Sequence, residues 1–231
     1  MTDNGIVSGS LMSYLAQADR DFLLDRAVLR RLPAGTSLMN EGDPTDHVLV
    51  LLSGWVRVYK NTRDGQVVLF ALRGPGDVIG DLAALQGWPR TVTVATLQDT
   101  EFAQFTHEGF LACLRDRAAV SIALLRQLAV RLRDSEAARL DYATMDVAQR
   151  VAAFLVRLAE AHGSPSPEGV VVDMPLTQQD IADSIGGSRR AVARALKTFR
   201  DRGLLVTGRR TVVVSAPDVL RRLARTVPDG T

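Results

Sequence analysis

Apolar residues recur along this chain with different spacings, and the changes from one spacing to the next divide it. Residues 11–31, LMSYLAQADRDFLLDRAVLRR, place them at helical intervals and lead to Pro33, which predicts a helical N-terminal segment. From Pro33 to about Phe105 the apolar runs become short and β-rich: HVLVLLSG, WVRVYK, QVVLFALR, TVTVATL and EFAQF. Gly35, Gly42, Gly54, Gly65, Gly74, Gly76, Gly80 and Gly87 punctuate this stretch. Strands broken by turn residues at short intervals predict a sandwich or barrel. Asp64-Gly65 lies between two such runs and predicts a hairpin, because that turn needs positive φ.

After Phe105 the helical interval returns. HEGFLACLRDR is a short amphipathic piece, and residues 118–143 then run without Gly or Pro. Leu125, Leu128, Leu132, Ser135, Arg139 and Tyr142 alternate there in steps of three and four, the spacing of a coiled-coil seam. That pattern reads as a dimer helix; a helix packed on its own β domain is the plainer alternative. Asp146 is placed to cap a further helix, VAQRVAAFLVRLAEA, ending at His162-Gly163. SPSPEG then reads as a loop and VVVDM as a short strand.

Composition becomes informative only when it is divided. Hydrophobic and charged contents of 46% and 23% are those of an ordinary globular chain. From Met174 onward there are 11 basic and 5 acidic residues, against 17 and 21 before it. A basic module on a mildly acidic one points to nucleic acid or an anionic surface. The single cysteine, Cys113, excludes a disulfide framework, a four-cysteine zinc site and a cysteine-held iron–sulfur cluster, and its apolar setting FLACL reads as core. No metal site is expected. No run approaches the roughly 18 apolar residues of a membrane span, and no basic-then-apolar leader opens the chain, so a cytoplasmic protein is expected.

In the basic module, Thr177-Gln-Gln-Asp180 is a capping-box pattern with aspartate in the usual glutamate place. A short helix, the turn IGGS and a second helix RRAVARALKTFRDR follow, the geometry that sets a recognition helix in the major groove. Val192 and Leu196 face inward, which leaves Arg189, Arg190, Arg194 and Lys197 on the opposite face, suited to guanine edges and phosphates. LLVTGRRTVVVS reads as a hairpin wing that carries Arg209 and Arg210 to the DNA backbone.

The other chemistry-bearing stretch is GDVIGDLAALQGWPRTVTVA, residues 76–95. Gly80 permits close backbone approach, and the helical turn from Asp81 presents unpaired N–H groups to an anion. Arg90 can pair with a phosphate, and Asp81 can accept from a ribose hydroxyl. The plainer alternative is a structural glycine turn and an ion pair.

Taken in order, the glycine-punctuated β region, the GDxIGDLAAL…PRT cassette, the long helix and LTQQDIADSIGGSRRAVARAL resemble the CRP/FNR family of bacterial transcription regulators from about residue 14 to 225. The resemblance implies an α+β chain in three parts. Residues 11–117 are a jelly-roll-like, cyclic-nucleotide-binding β-roll, 118–145 a dimerisation helix, and 146–231 a winged helix-turn-helix domain. It implies a homodimer on a palindromic operator with half-sites roughly 34 Å apart, and RNA polymerase as a further partner. Carried over singly, the ligand site comprises Gly80, Asp81, Leu82, Arg90 and Thr91, with Arg131, Ser135 and Glu136 from the long helix. The DNA-contacting set comprises Thr177, Gln179, Ser188, Arg189 and Arg194. No catalytic residue and no resident cofactor are implied, only an allosteric ligand, with cyclic AMP the leading expectation.

Three positions depart from the cyclic-AMP-binding pattern. Asp81 is one methylene shorter than the usual glutamate, and Glu136 replaces a hydroxyl. Arg190 replaces an acidic residue that accepts from cytosine, so a different base preference is expected. A cyclic dinucleotide, for which Trp88 offers a stacking surface, and ligand-independent DNA binding are the alternatives within regulators. An enzyme controlled by a cyclic nucleotide is the alternative of another class. The cysteine-ligated, oxygen-sensing branch does not fit. Haem sensing does not fit either, since His47, His107 and His162 are scattered.

Overall fold

The computed structural model describes residues 5–208 and 211–225. Its contacts fall into two compact units, Met1–Arg133 and Asp134–Thr231.

The first unit opens with a segment that closes in one 3-10 turn, Met12–Tyr14, followed by helix α1 (Gln17–Leu24). The helical spacing of residues 11–31 is therefore only partly realised. Val28–Leu32 form strand β1, paired antiparallel to strand β8 (Thr100–Phe105). Val28 and Leu29 stay exposed in this strand, so burial of these two side chains does not select it. The ladder to β8 satisfies the backbone instead.

Strands β2 (Ser37–Met39), β3 (Val48–Ser53), β4 (Val56–Asn61), β5 (Val67–Arg73), β6 (Val78–Ile79) and β7 (Thr93–Thr96) complete two antiparallel sheets. Their orders are β1-β8-β3-β6 and β2-β7-β4-β5. The continuous apolar run of β3 has a direct cause. Leu49 and Leu51 enter a cluster with Met39, Val56, Ile79, Val94 and Phe102, while Val48 and Val50 turn to the helical side. A strand covered on both faces loses the polar alternation of a half-exposed one. The Asp64-Gly65 hairpin forms as expected, with Gly65 at φ +76° and its N–H bonded to Thr62.

Helices α2 (Asp81–Gln86), α3 (His107–Asp116) and α4 (Ala118–Thr144) finish this part of the chain, and the division between units falls inside α4. Phe105, Phe110, Cys113, Val120, Ala123 and Leu124 pack with Leu11, Leu15 and Leu23 in the helical core. Burial raises the Cys113 thiol pKa.

The second unit is built around helix α5 (Val147–His162), which contacts three further helices, α6 (Gln178–Ile185), α7 (Arg189–Asp201) and α8 (Pro217–Arg225). Asp146 caps α5 in a full capping box with Gln149, both bonds 2.8 Å. A four-stranded sheet of order β11-β12-β10-β9 accompanies the helices. It comprises β9 (Ser164–Ser166), β10 (Gly169–Asp173), β11 (Leu205–Thr207) and β12 (Thr211–Val214). SPSPEG is thus not all loop: its first three residues pair with Gly169–Val171, because the turn between them brings the two backbones into register. Among the described residues no helix is long and apolar enough to cross a membrane.

Candidate ligand cassette and nucleic-acid interface

Strand β6 delivers the chain to Gly80, whose φ of +84° begins α2. Only glycine fits there. A Cβ would stand 2.6 Å from Arg90 Nη1, 2.8 Å from Met39 Cε and 2.9 Å from the His47 carbonyl oxygen. Arg90 is 4% exposed. Its Nε donates to Thr45 Oγ1 at 3.0 Å, Nη1 to the Gly80 carbonyl at 3.1 Å, and Nη2 to the His47 carbonyl at 2.6 Å. These bonds use three of the five N–H donors of a guanidinium. Burial lowers the Arg90 pKa, opposed by the carboxylates of Asp46, Asp43 and Asp81, and arginine stays charged. Burial, and then Arg90 itself, lowers the pKa of His47.

Asp81 is equally buried, and its partner is Arg131 of α4. Arg131 Nη1 donates to Asp81 Oδ2 at 3.0 Å, and Nη2 reaches the Val78 carbonyl at 2.5 Å and Asp77 Oδ1 at 3.5 Å. The structure therefore brings Gly80, Asp81, Arg90 and Arg131 into one bonded cluster that ties the cassette to α4. Thr91 is half-buried, and Leu82 is exposed, as is Trp88. Ser135 and Glu136 are exposed on α4 beyond the division and are not members of the cluster.

Thr45 and His47 were not legible as site residues, and Asp77 was not among those expected. Thr45 and His47 lie more than forty positions from Arg90 in the chain (separations of 45 and 43), with no motif around them. Asp77 did carry a signal, since it opens the same DVIGD stretch as Asp81.

In the second unit Thr177 caps α6 reciprocally with Asp180. The Asp180 N–H donates to Thr177 Oγ1 at 3.1 Å, and the Thr177 N–H donates to Asp180 Oδ2 at 2.9 Å. Gly186 ends α6 at φ +59°, and Ser188 caps α7 through the Ala191 N–H. Val192, Leu196 and Phe199 are buried, whereas Arg189, Arg190, Arg194 and Lys197 are all exposed on α7. Lys197 pairs with Asp201 at 2.7 Å and Gln179 donates to Asp183 at 2.6 Å. Both contacts are solvent-exposed and weak enough to yield to a phosphate. Strands β11 and β12 form the expected wing hairpin. Its tip residues, Arg209 and Arg210, lie outside the described residues.

The Tyr142 ring, expected on a seam, is engaged within its own unit. Its hydroxyl donates to the Ser184 carbonyl at 2.7 Å, and its edge stands where a Cβ on Gly186 would be.

Residues 29–117 match the model of the cyclic nucleotide-binding domain, and residues 149–223 match that of the Crp-like helix-turn-helix domain. The chain is 33% identical over 193 residues to the CRP-like cAMP-activated global transcriptional regulator of Mycobacterium tuberculosis, covering 84% of this chain and 86% of that one. FixK2 from Bradyrhizobium japonicum superposes with a TM-score of 0.74 at 25% identity, over 85% of this chain and 96% of that one. CLP of Xanthomonas campestris, described as a c-di-GMP responsive global regulator, superposes with a TM-score of 0.71 at 25% identity, over 86% and 99% of the two chains.

Proposed function

The chain belongs to the CRP/FNR family of transcription regulators, and from that premise we propose that it is a cytoplasmic homodimer whose operator affinity is set by cyclic AMP. It is a cyclic-nucleotide-binding, DNA-binding regulator and not an enzyme. We propose the three-part division as well, with a ligand domain over 11–117, a dimer helix over 118–145 and a DNA domain over 146–231. Its proposed macromolecular partners are a second copy, a palindromic operator and RNA polymerase.

The observation that carries this reading is the Asp81–Arg131 pair. A cyclic phosphate at Gly80–Leu82, taking the remaining donors of Arg90, sits against a carboxylate already bonded to α4. Ribose contact with Asp81 would change how that carboxylate holds Arg131. A ligand shifts an equilibrium only through such a difference between two states. Leu125 and Leu132, 66% and 62% exposed on the same helix, support a second copy packed along α4.

Calorimetric titration of the full chain with cyclic AMP, cyclic GMP and cyclic di-GMP tests the ligand. Cyclic AMP is expected to bind most tightly, and to raise affinity for an operator selected from random DNA. Preference for the dinucleotide would favour the second reading, for which the exposed Trp88 beside the cassette is the supporting observation. Binding of none of the three would overturn ligand control and leave a constitutive DNA-binding regulator.

On the DNA side, Arg189→Ala is expected to lose about 1–3 kcal/mol at one base position of the selected operator, relaxing specificity there. Arg209→Ala should weaken all sequences alike, by loss of a phosphate contact. Competition binding against single-base operator variants checks both. Uniform weakening by Arg189→Ala would mean that another residue of α7 reads that base.

A further inference from the structure

Residues 6–15 run between two parts of the first unit. On one side they hold the β5–β6 turn. The Val7 N–H donates to the Pro75 carbonyl at 2.8 Å and the Met12 N–H to the Gly76 carbonyl at 3.1 Å. Gly76 is constrained by that contact: a Cβ there would lie 2.4 Å from Ser10 Oγ. On the other side the segment holds α4. The Leu11 N–H donates to Gln127 Oε1 at 2.6 Å, Gly9 approaches Val130, and the Arg126 guanidinium lies 5.6 Å above the Tyr14 ring. Ser10, Leu11, Met12 and Leu15 are all buried.

Gln127 is 1% exposed, and its Nε2 has no partner among the described residues. Its orientation follows from the Leu11 amide, which can only donate and so requires Oε1 to face it. The segment is therefore a strap with one polar fastening on α4. One helical turn further along, Arg131 makes its bonds to Asp77, Val78 and Asp81. The strap grips the turn at Pro75–Gly76, and Arg131 grips the residues that immediately follow it. Both links join the same two elements.

We propose that Gln127, through the strap of residues 6–15, is a positioning residue that sets where Arg131 meets the cassette and so sets the response to ligand. A leucine at position 127 would fill the space without an unpartnered amide, yet it would leave the buried Leu11 N–H without an acceptor and α4 free to shift along the strap. This inference rests on the cassette's being a cyclic-nucleotide site, but the strap itself can be read out without any ligand.

The test compares full-length wild type, Gln127→Leu, a deletion of residues 1–8, and the two changes combined. Hydrogen exchange is expected to speed up at Leu11, and with it at residues 76–81 and 128–131. Cyclic AMP affinity should weaken about tenfold in each single variant. The ratio of DNA affinities with and without ligand should shrink as well. Because both changes act through one link, the combined variant should fall well short of the product of the two. A role in stability alone would lower the melting temperature while folded protein bound ligand with the wild-type constant. That result, or unchanged exchange at residues 76–81, overturns the proposal. If wild type binds no cyclic nucleotide, the functional reading fails, and exchange at residues 76–81 alone decides whether the strap positions the cassette. The deletion variant keeps the test available should Gln127→Leu fail to fold.

Discussion

Arg90→Ala is expected to abolish cyclic-nucleotide binding and to destabilise the first unit by about 3 kcal/mol. The two effects have separate origins. Stability falls because the carbonyls of Gly80 and His47 and the Thr45 hydroxyl lose the one guanidinium that bridges them. Arg90 itself is buried, so its truncation also leaves unfilled space beside Gly80. Ligand binding fails because the same guanidinium supplies the positive charge beside Gly80. Arg90→Lys separates the two. An ammonium keeps the charge but not the planar fork that reaches three acceptors at once, so it should recover part of the binding and little of the stability. Denaturant unfolding reads the first effect, and calorimetry on protein confirmed folded by circular dichroism reads the second. Wild-type affinity in folded Arg90→Ala protein would remove Arg90 from the site.

Gly186→Ala should be nearly as damaging in the second unit, at about 2–3 kcal/mol, and should lower DNA affinity with it. Two terms add. Alanine at φ +59° is strained by roughly 1–2 kcal/mol. Its Cβ would also stand 2.6 Å from Tyr142 Cε1, so the ring must swing away and release its bond to the Ser184 carbonyl. Burial raises the Tyr142 pKa against the opposing charges of Arg150 and Arg157, so the phenol stays protonated and able to donate at neutral pH. Gly203 provides the control. It has φ +66°, and a Cβ there would meet nothing within 4 Å among the described residues, so Gly203→Ala carries the strain term alone. In a Tyr142→Ala background Gly186→Ala should fall to the Gly203→Ala value. If the two glycines respond equally in the wild-type background, the contact with Tyr142 contributes nothing.

The helix-turn-helix was legible because its determinants are local. Thr177 and Asp180 cap α6 from three residues apart, Gly186 forms the turn, and the spacing of Val192 and Leu196 assigns the outward face of α7. The same holds for the Asp64-Gly65 hairpin and the Asp146 cap. Residues 11–31 misled for the opposite reason. Their helical spacing is real, but β8 offered an unpaired edge, and backbone pairing with a strand far along the chain took Val28–Leu32 out of the helix.

The cassette shows the same boundary within one site. Gly80, Asp81 and Arg90 stand close together in a recognisable run, and the α+β architecture, the order of the domains, the helix-turn-helix and the family follow from runs of this kind. Each depends on residues within a few positions of one another, where periodicity, capping and turn chemistry act directly. Tertiary structure alone decided what those residues hold. It closed Arg90 onto Thr45 and His47, joined Asp81 to Arg131 across 50 positions, and fastened Leu11 to Gln127 across 116. The physical reason is that a buried donor or acceptor must find a partner, and which one it finds depends on which surfaces the packed core brings together.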